Sequence, residues 1–240
     1  MPVAVITGAS KGLGRALGAA LAGRGWDLVV DARSAGPLED AARGLRRAGA
    51  RVVALPGDVT DAGHRAGLVA AARELGGLDL LVNNASVLGA EPLVRLEEHA
   101  LDGLRAALEV NVVAPLGLVQ EALPLLRASS LYGTAALGGA VLNISSDAAA
   151  EAYETWGGYG AAKAALDQLS AVLAVEEPGL RVWWVDPGDM RTDLYAAAVP
   201  ADDGSGRPLP ETVVPALLRL LDAGAASGRY GAPGLLDGAR

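Results

Sequence analysis

Short apolar runs recur along this chain, separated by stretches of helical length, and that alternation limits the fold more than any other feature. Strands are expected at Val3–Thr7, Asp27–Asp31, Arg51–Leu55, Asp79–Val82, Ala140–Ile144, Arg181–Val185 and, with a weaker pattern, Gly228–Gly231. Helices are expected near 13–24, 37–48, 61–75, 97–127 with a break near Asn111, 157–176 and 211–222. Strands alternating with helices build βαβ units, whose sheet is parallel and covered on both faces. Parallel strands buried on both sides should be almost continuously apolar, as Leu28-Val29-Val30 and Leu80-Leu81-Val82 are. The expected fold class is therefore α/β: a Rossmann-type, doubly wound parallel sheet of about seven strands. No shift in composition marks a linker, so one domain is expected over 1–240. In such sheets ligands bind past the carboxyl ends of the strands.

Composition removes several classes of function. The chain lacks cysteine, which excludes a disulfide framework and thiolate metal sites, and its only histidines are His64 and His99, so no metal site is expected. A net charge of -8 argues against binding nucleic acid through phosphate neutralisation. Met1 and Pro2 lead straight into an apolar strand, so no targeting segment and a cytoplasmic location are expected. The longest charge-free stretch, Ala128–Ser146, is interrupted by Ser, Thr, Gly and Asn, and no membrane span is expected. Two residue types are conspicuously scarce. Lysine occurs only at 11 and 163, and asparagine only at 83, 84, 111 and 143. A GC-rich coding bias accounts for the scarcity but not for the positions.

The first strand ends in Thr7-Gly8-Ala9-Ser10-Lys11-Gly12-Leu13-Gly14 and runs into a helix. Glycines there permit positive φ and let backbone amides approach an anion, and the helix N-terminus adds free donors and its dipole. The T-G-x-x-x-G-x-G spacing resembles the short-chain dehydrogenase/reductase family, and the family's other stations follow in order. Asp58-Val59 lies after the third strand and Asn83-Asn84-Ala85-Ser86 after the fourth. Asn111 is mid-helix and Ser145-Ser146 follows the fifth strand. Tyr159-Gly160-Ala161-Ala162-Lys163 matches Y-x-x-x-K, and Pro187-Gly188 with Thr192 matches P-G-x-x-x-T. The resemblance covers essentially the whole chain and implies a cofactor half to about 110 and a catalytic and substrate half beyond. It implies a nicotinamide cofactor held by Gly8, Ser10, Lys11, Gly12, Leu13, Gly14, Arg33, Asp58, Val59, Asn83, Ala85, Tyr159, Lys163, Pro187, Gly188 and Thr192.

Residues i and i+4 share a helix face, so Tyr159 and Lys163 project side by side. A cation beside a phenol favours the phenolate, and Lys163 is expected to lower the Tyr159 pKa toward the working pH of a general acid–base. The resemblance places the catalytic serine at Ser146, thirteen residues before Tyr159, where its hydroxyl would donate to a carbonyl oxygen. Ser145 is expected to be a turn serine bonded to backbone. Asn111 resembles the family asparagine that distorts its helix and holds a water leading from the lysine to solvent. The implied reaction is reduction of a carbonyl, or oxidation of an alcohol in reverse.

The family's acidic, NAD-selecting position falls on Ala32, with Arg33 next and Lys11 in the glycine turn. NADP(H) is therefore expected over NAD(H); a register one residue earlier would give the ribose to Asp31 and favour NAD(H). Asn111 and Ser146 are 35 residues apart, several more than the family norm, and the excess is placed at Ala128–Gly138, on the rim and away from the site. Asp147, Tyr153, Trp156, Met190 and Tyr195 are expected to line the substrate pocket, under a mobile lid at Leu194–Pro210. Helices at Asn111–Leu126 and Tyr159–Val175 are apolar nearly all round, so a homodimer or homotetramer is expected. Three readings stand at this point. They are an NADPH-dependent carbonyl reductase (or its NAD-dependent counterpart), a non-redox epimerase, dehydratase or cyclase on the same scaffold, and a cofactor-binding regulator.

Overall fold

The structure is a computed structural model and describes residues 1–133 and 137–237. Strands β1 (Val3–Ile6), β2 (Asp27–Ala32), β3 (Val52–Pro56), β4 (Leu80–Asn83), β5 (Ala140–Ile144), β6 (Arg181–Asp186) and β7 (Gly228–Gly231) are all parallel. They form one sheet in the order β3-β2-β1-β4-β5-β6-β7. Seven helices carry most of the connections: α1 (Gly12–Gly23), α2 (Ala35–Arg47), α3 (Ala62–Leu75), α4 (Leu101–Leu108), α5 (Ala114–Ala128), α6 (Gly157–Glu176) and, after the short α7 (Asp193–Ala198), α8 (Pro210–Ala223). A final short helix, α9 (Ala232–Leu236), follows β7. Neither α7 nor α9 stands out in the sequence, because a helix of five or six residues spans too few turns to show a period.

Each strand feeds both faces of the sheet, since successive side chains point opposite ways. Ala4, Ile6, Leu28 and Val30 pack with Leu17, Leu21, Leu45, Leu217 and Leu220 of α1, α2 and α8. Val3, Val5, Val29 and Leu81 pack on the other side with Leu68, Ala72, Leu118 and Leu126 of α3 and α5. Each such leucine or isoleucine, fully buried, contributes roughly 1.5–3 kcal/mol. The connection reverses between β1 and β4. From β1 the chain winds outward through β2 and β3, then returns to place β4 on the other side of β1. The two halves diverge there and open a crevice at the carboxyl ends of the strands.

The expected break near Asn111 is a π-helical turn, Glu109–Val113, joining α4 to α5. Asparagine is a poor mid-helix residue, and its side chain here bonds elsewhere: Nδ2 donates to the Val87 carbonyl at 2.9 Å and Oδ1 accepts from the Val87 amide at 3.1 Å. By length and composition alone, Leu101–Ala128 could cross a membrane. In the fold, α5 lies on the sheet and against α3, and contributes Leu118, Val119, Ala122 and Leu126 to the core.

Of the Ala128–Gly138 segment, residues 134–136 lie outside the described residues. Ser129 Oγ donates to Asp79 at 2.5 Å, just before β4, and Tyr132 packs on Gly224 beyond α8. Both anchors are at the amino-terminal edge of the sheet, so the described part of the segment lies opposite the crevice rather than on its rim. The Leu194–Pro210 segment, expected to form a mobile lid, is held by local structure. It begins inside α7, and Arg207 stands 5.0 Å over the Tyr195 ring while bonding Asp202 and Asp189. Tyr195 donates to Asp202 at 2.7 Å. That hydroxyl, the Gly204 amide and Arg207 hold the Asp202 carboxyl down at about 2.

Candidate active site

An open cleft of about 1380 Å³ runs along the carboxyl edge of the sheet. That exceeds an ordinary small-ligand pocket and suits a dinucleotide plus a substrate. One end is formed by the glycine turn. Gly8 has φ +65° and Gly12 φ +56°, and a Cβ on Gly14 would lie 2.5 Å from Asn84 Nδ2 and 2.8 Å from the Gly8 carbonyl. Lys11 precedes α1 without a side-chain cap, so the first-turn amides keep their donors for an anion. Those features fit a phosphate group. Lys11 itself reaches across the mouth of the cleft to Asp193 on α7 (2.6 Å), with both side chains largely exposed.

Asp31 lies beneath this turn, on the β2 face that looks toward α3. It is buried, its Oδ1 accepts from the Gly8 amide at 2.8 Å, and its Oδ2 lies 3.1 Å from His64 Nε2. Both oxygens are therefore used inside the protein. Ala32 offers no carboxylate, and Arg33 is exposed on the cleft wall facing Asp58 and Val59. Asp58 takes the Thr60 amide (2.9 Å) and hydroxyl (2.8 Å), and its carboxyl is lowered first by Thr60 and more weakly by Arg33.

The other end gathers Ser146, Tyr159 and Lys163 from two separate elements. Ser146 caps a short 3-10 turn, Asp147–Ala149, directly after β5, while Tyr159 and Lys163 lie one turn apart on α6. Lys163 is 2% exposed, donates to the Ile144 carbonyl at 2.8 Å, and stands 5.5 Å from the Tyr159 ring centre. The electrostatics reverse the expectation from spacing. Burial pushes the Tyr159 phenol up to about 12, aided by Asp186 and Asp147 and opposed by the Ser86 and Ser146 hydroxyls. Burial also brings the Lys163 ammonium down to about 8, against the pull of Asp167. The lysine head group is turned to the Ile144 carbonyl, so desolvation of each group outweighs their mutual effect.

Ser10, Leu13, Ala85, Pro187, Gly188 and Thr192 line the cleft, and so do Asp147, Tyr153, Trp156, Met190 and Tyr195, the residues expected at a substrate pocket. Three expected site residues do not. Gly14 is buried behind the turn, where it allows Asn84 to approach. Asn83 is buried within the sheet and donates to Asn143 at 2.8 Å, and Asn84 takes its place at the cleft, bonding the Thr7 and Gly8 carbonyls. Asn111 is buried and clamps Val87 with its whole side chain. Ser145 bonds the Asp167 carboxylate rather than backbone. Ser86, the last residue of the Asn83-Asn84-Ala85-Ser86 motif, also lines the cleft, as do Asp186, Arg15 and Arg191, which no motif singles out as cofactor or substrate contacts.

A family profile described as short chain dehydrogenase matches residues 2–203. The chain belongs to the short chain dehydrogenase family. Among curated members, cis-4-hydroxycyclohexanecarboxylate dehydrogenase of Sinomonas cyclohexanicum is 38% identical over 83% of this chain and 77% of its own. Mouse sepiapterin reductase is 36% identical over 82% of this chain and 77% of its own. Among solved structures, a Shigella flexneri short chain dehydrogenase complexed with NADP superposes with a TM-score of 0.88 at 26% identity, covering 97% of both chains. An alcohol dehydrogenase from Thermococcus sibiricus complexed with 5-hydroxy-NADP gives 0.84 at 28% identity, covering 96% of this chain and 95% of that one. This short chain dehydrogenase is thus an NAD(P)-dependent oxidoreductase.

Proposed function

We propose that this short chain dehydrogenase is an NADPH-dependent carbonyl reductase. The observation that carries the reading is the convergence of Ser146, Tyr159 and Lys163 at one end of a cleft whose other end is an uncapped glycine turn. The nicotinamide, when bound, supplies the hydride to the carbonyl carbon. The protein's own residues manage the oxygen. Ser146 Oγ, which bonds Asp147 Oδ1 at 3.0 Å, turns to donate to the substrate oxygen as negative charge develops there. Tyr159, with its proton held firmly at neutral pH, donates that proton to the same oxygen. Lys163 remains mostly an ammonium at pH 7 and stabilises the phenolate left behind. Trp156, edge-on to Tyr159 at 5.7 Å, with Leu88, Ala198 and Val199, gives the reacting end an apolar wall that limits water.

Support for NADPH over NADH comes from the β2 end. Ala32 has no carboxylate for the ribose, Asp31 is committed to Gly8 and His64, and Arg33, exposed on the cleft wall with no ion-pair partner among the described residues, is placed to meet a 2′-phosphate. Two solved relatives hold NADP or a derivative of it. In Arg33→Ala the NADPH dissociation constant should rise by about 10- to 100-fold, as loss of a charge-assisted hydrogen bond implies, with NADH binding unchanged. Fluorescence titration with both nucleotides checks this; equal weakening of both would refute the assignment of Arg33.

A homo-oligomer is part of the same proposal. Val113, Leu116, Val172 and Val175 leave 48%, 39%, 41% and 80% of their surface exposed on α5, the turn before it, and α6. Such apolar exposure on adjacent helices supports pairing with a second copy. Sedimentation should give at least twice the 24.1 kDa chain mass, and a monomer at micromolar concentration would contradict it.

A further inference from the structure

Arg229 lies on the last strand and Asp167 on α6, and neither lines the cleft. Nevertheless they hold both catalytic-loop serines. Arg229 Nη2 donates to the Ser146 carbonyl at 2.8 Å across 83 residues of sequence, and its Nε donates to Asp167 Oδ2 at 2.9 Å. The other oxygen of Asp167 accepts from Ser145 Oγ. The strand register explains the meeting. Arg229 pairs with Trp184, whose ring packs on the core face that carries α6, so the guanidinium projects toward that helix. Asp167 is four residues beyond Lys163 and therefore on the same helix face.

We propose that Arg229 and Asp167 are positioning residues for the reaction, fixing the Ser145–Ser146 turn and, through the balance of their two charges, governing the Lys163 ammonium. This rests on the proposed roles of Ser146, Tyr159 and Lys163. Asp167 favours the ammonium, and Arg229 offsets part of that carboxylate while its planar fork ties the Ser146 carbonyl to the same anchor. Around the Tyr159–Lys163 pair the ionisable groups are Asp167 on the same helix, Asp147 after β5 and Asp186 at the end of β6, whose charges reach Tyr159, Arg229 on β7, which bonds Asp167, and His99, whose ring lies against Gly158. Asp167 is the group whose charge acts directly on Lys163.

The chain's two lysines make a direct test possible. Protein labelled with 13Cε-lysine should give two resonances, with Lys163 identified by its loss in Lys163→Met. Removing the carboxylate in Asp167→Asn should move the Lys163 titration midpoint down by about one pH unit, and removing the guanidinium in Arg229→Gln should move it up by about half a unit, since Asp167 is one helical turn from Lys163 and Arg229 stands beyond Asp167. Arg229→Lys keeps the charge but not the fork, so the midpoint should stay while kcat falls. All three variants should lower kcat, because the Ser146 turn is loosened. Midpoints that do not move, or that move the same way in Asp167→Asn and Arg229→Gln, would overturn the proposal. The NMR readout needs no turnover. If the midpoints shift as stated while Tyr159→Phe retains full activity, the catalytic reading fails and the electrostatic coupling stands.

Discussion

Replacing Tyr159 by phenylalanine should cut the rate of carbonyl reduction by about a thousandfold, the scale of a lost general acid. The substitution removes one oxygen and little else. The ring keeps its edge contact with Trp156 and its place 5.5 Å from the Lys163 ammonium, and its pocket of Leu88, Ala148 and Ala198 is untouched. Folding and NADPH binding should therefore survive, and the loss should fall on kcat. The phenol is well suited to the reductive direction, because burial keeps its proton in place far above neutral pH. Single-turnover kinetics with pre-bound NADPH separates the chemical step from binding. A variant that retains wild-type single-turnover rates would show that the proton comes from another group.

Lys163→Met should lower kcat by at least about a hundredfold, as expected when an acid–base residue loses its electrostatic partner. The alkaline limb of the pH profile should also disappear. The direction follows from the shift: burial depresses the ammonium from 10.5 to about 8, so the charged form prevails below pH 8 and is lost as pH rises through it. Wild-type activity should accordingly decline above about pH 8, and the methionine variant should show a low, flat rate there. Stability should change little. The substitution relieves a buried charge but leaves the Ile144 carbonyl without the donor it has at 2.8 Å, and these effects oppose each other. A stable Lys163→Met protein with unaltered kcat would remove Lys163 from the mechanism.

The fold was legible because burial on both faces leaves parallel strands with a strong apolar signature. All seven strands fall within a residue or so of their expected positions, including the weak Gly228–Gly231 run. Motif order brought Ser146, Tyr159 and Lys163 to one place for the same reason: each follows or faces the carboxyl end of a strand. Of the Asn83-Asn84 pair, motif order assigned the cleft to Asn83, and the structure lines it with Asn84. Asn83 ends β4 in register with Asn143 and bonds it inside the sheet, so Asn84 borders the glycine turn instead. Strand alternation already separates Asp31 from the ribose position, since it shares a face with Val29 and points toward α3 and His64. The reversed tuning of Tyr159 and Lys163 was not legible, because helical spacing sets adjacency but not desolvation. Arg229 was not legible either, since its partners lie 62 and 83 residues away and meet only through the β6–β7 pairing.

Two scarce residue types traced the site with uneven fidelity. Lys163 lies buried one helical turn from Tyr159 and donates to the Ile144 carbonyl, and Lys11 stands at the cleft mouth in an exposed pair with Asp193. Asn111 and Asn143 act from behind the cleft, one clamping Val87 and the other linking Asn83 to Ser170. Scarcity thus marked the residues that build the site as readily as those that touch its contents.

The most direct test of the account is isotope transfer. NADPH carrying deuterium on the reactive face of its nicotinamide is incubated with the enzyme and a panel of aromatic and alicyclic ketones, and the alcohols are analysed by mass spectrometry. The account predicts one deuterium on the carbinol carbon for each NADPH consumed, with incorporation abolished in Tyr159→Phe. A product formed without NADPH loss, or without deuterium at that carbon, would contradict carbonyl reduction as the reaction of this site.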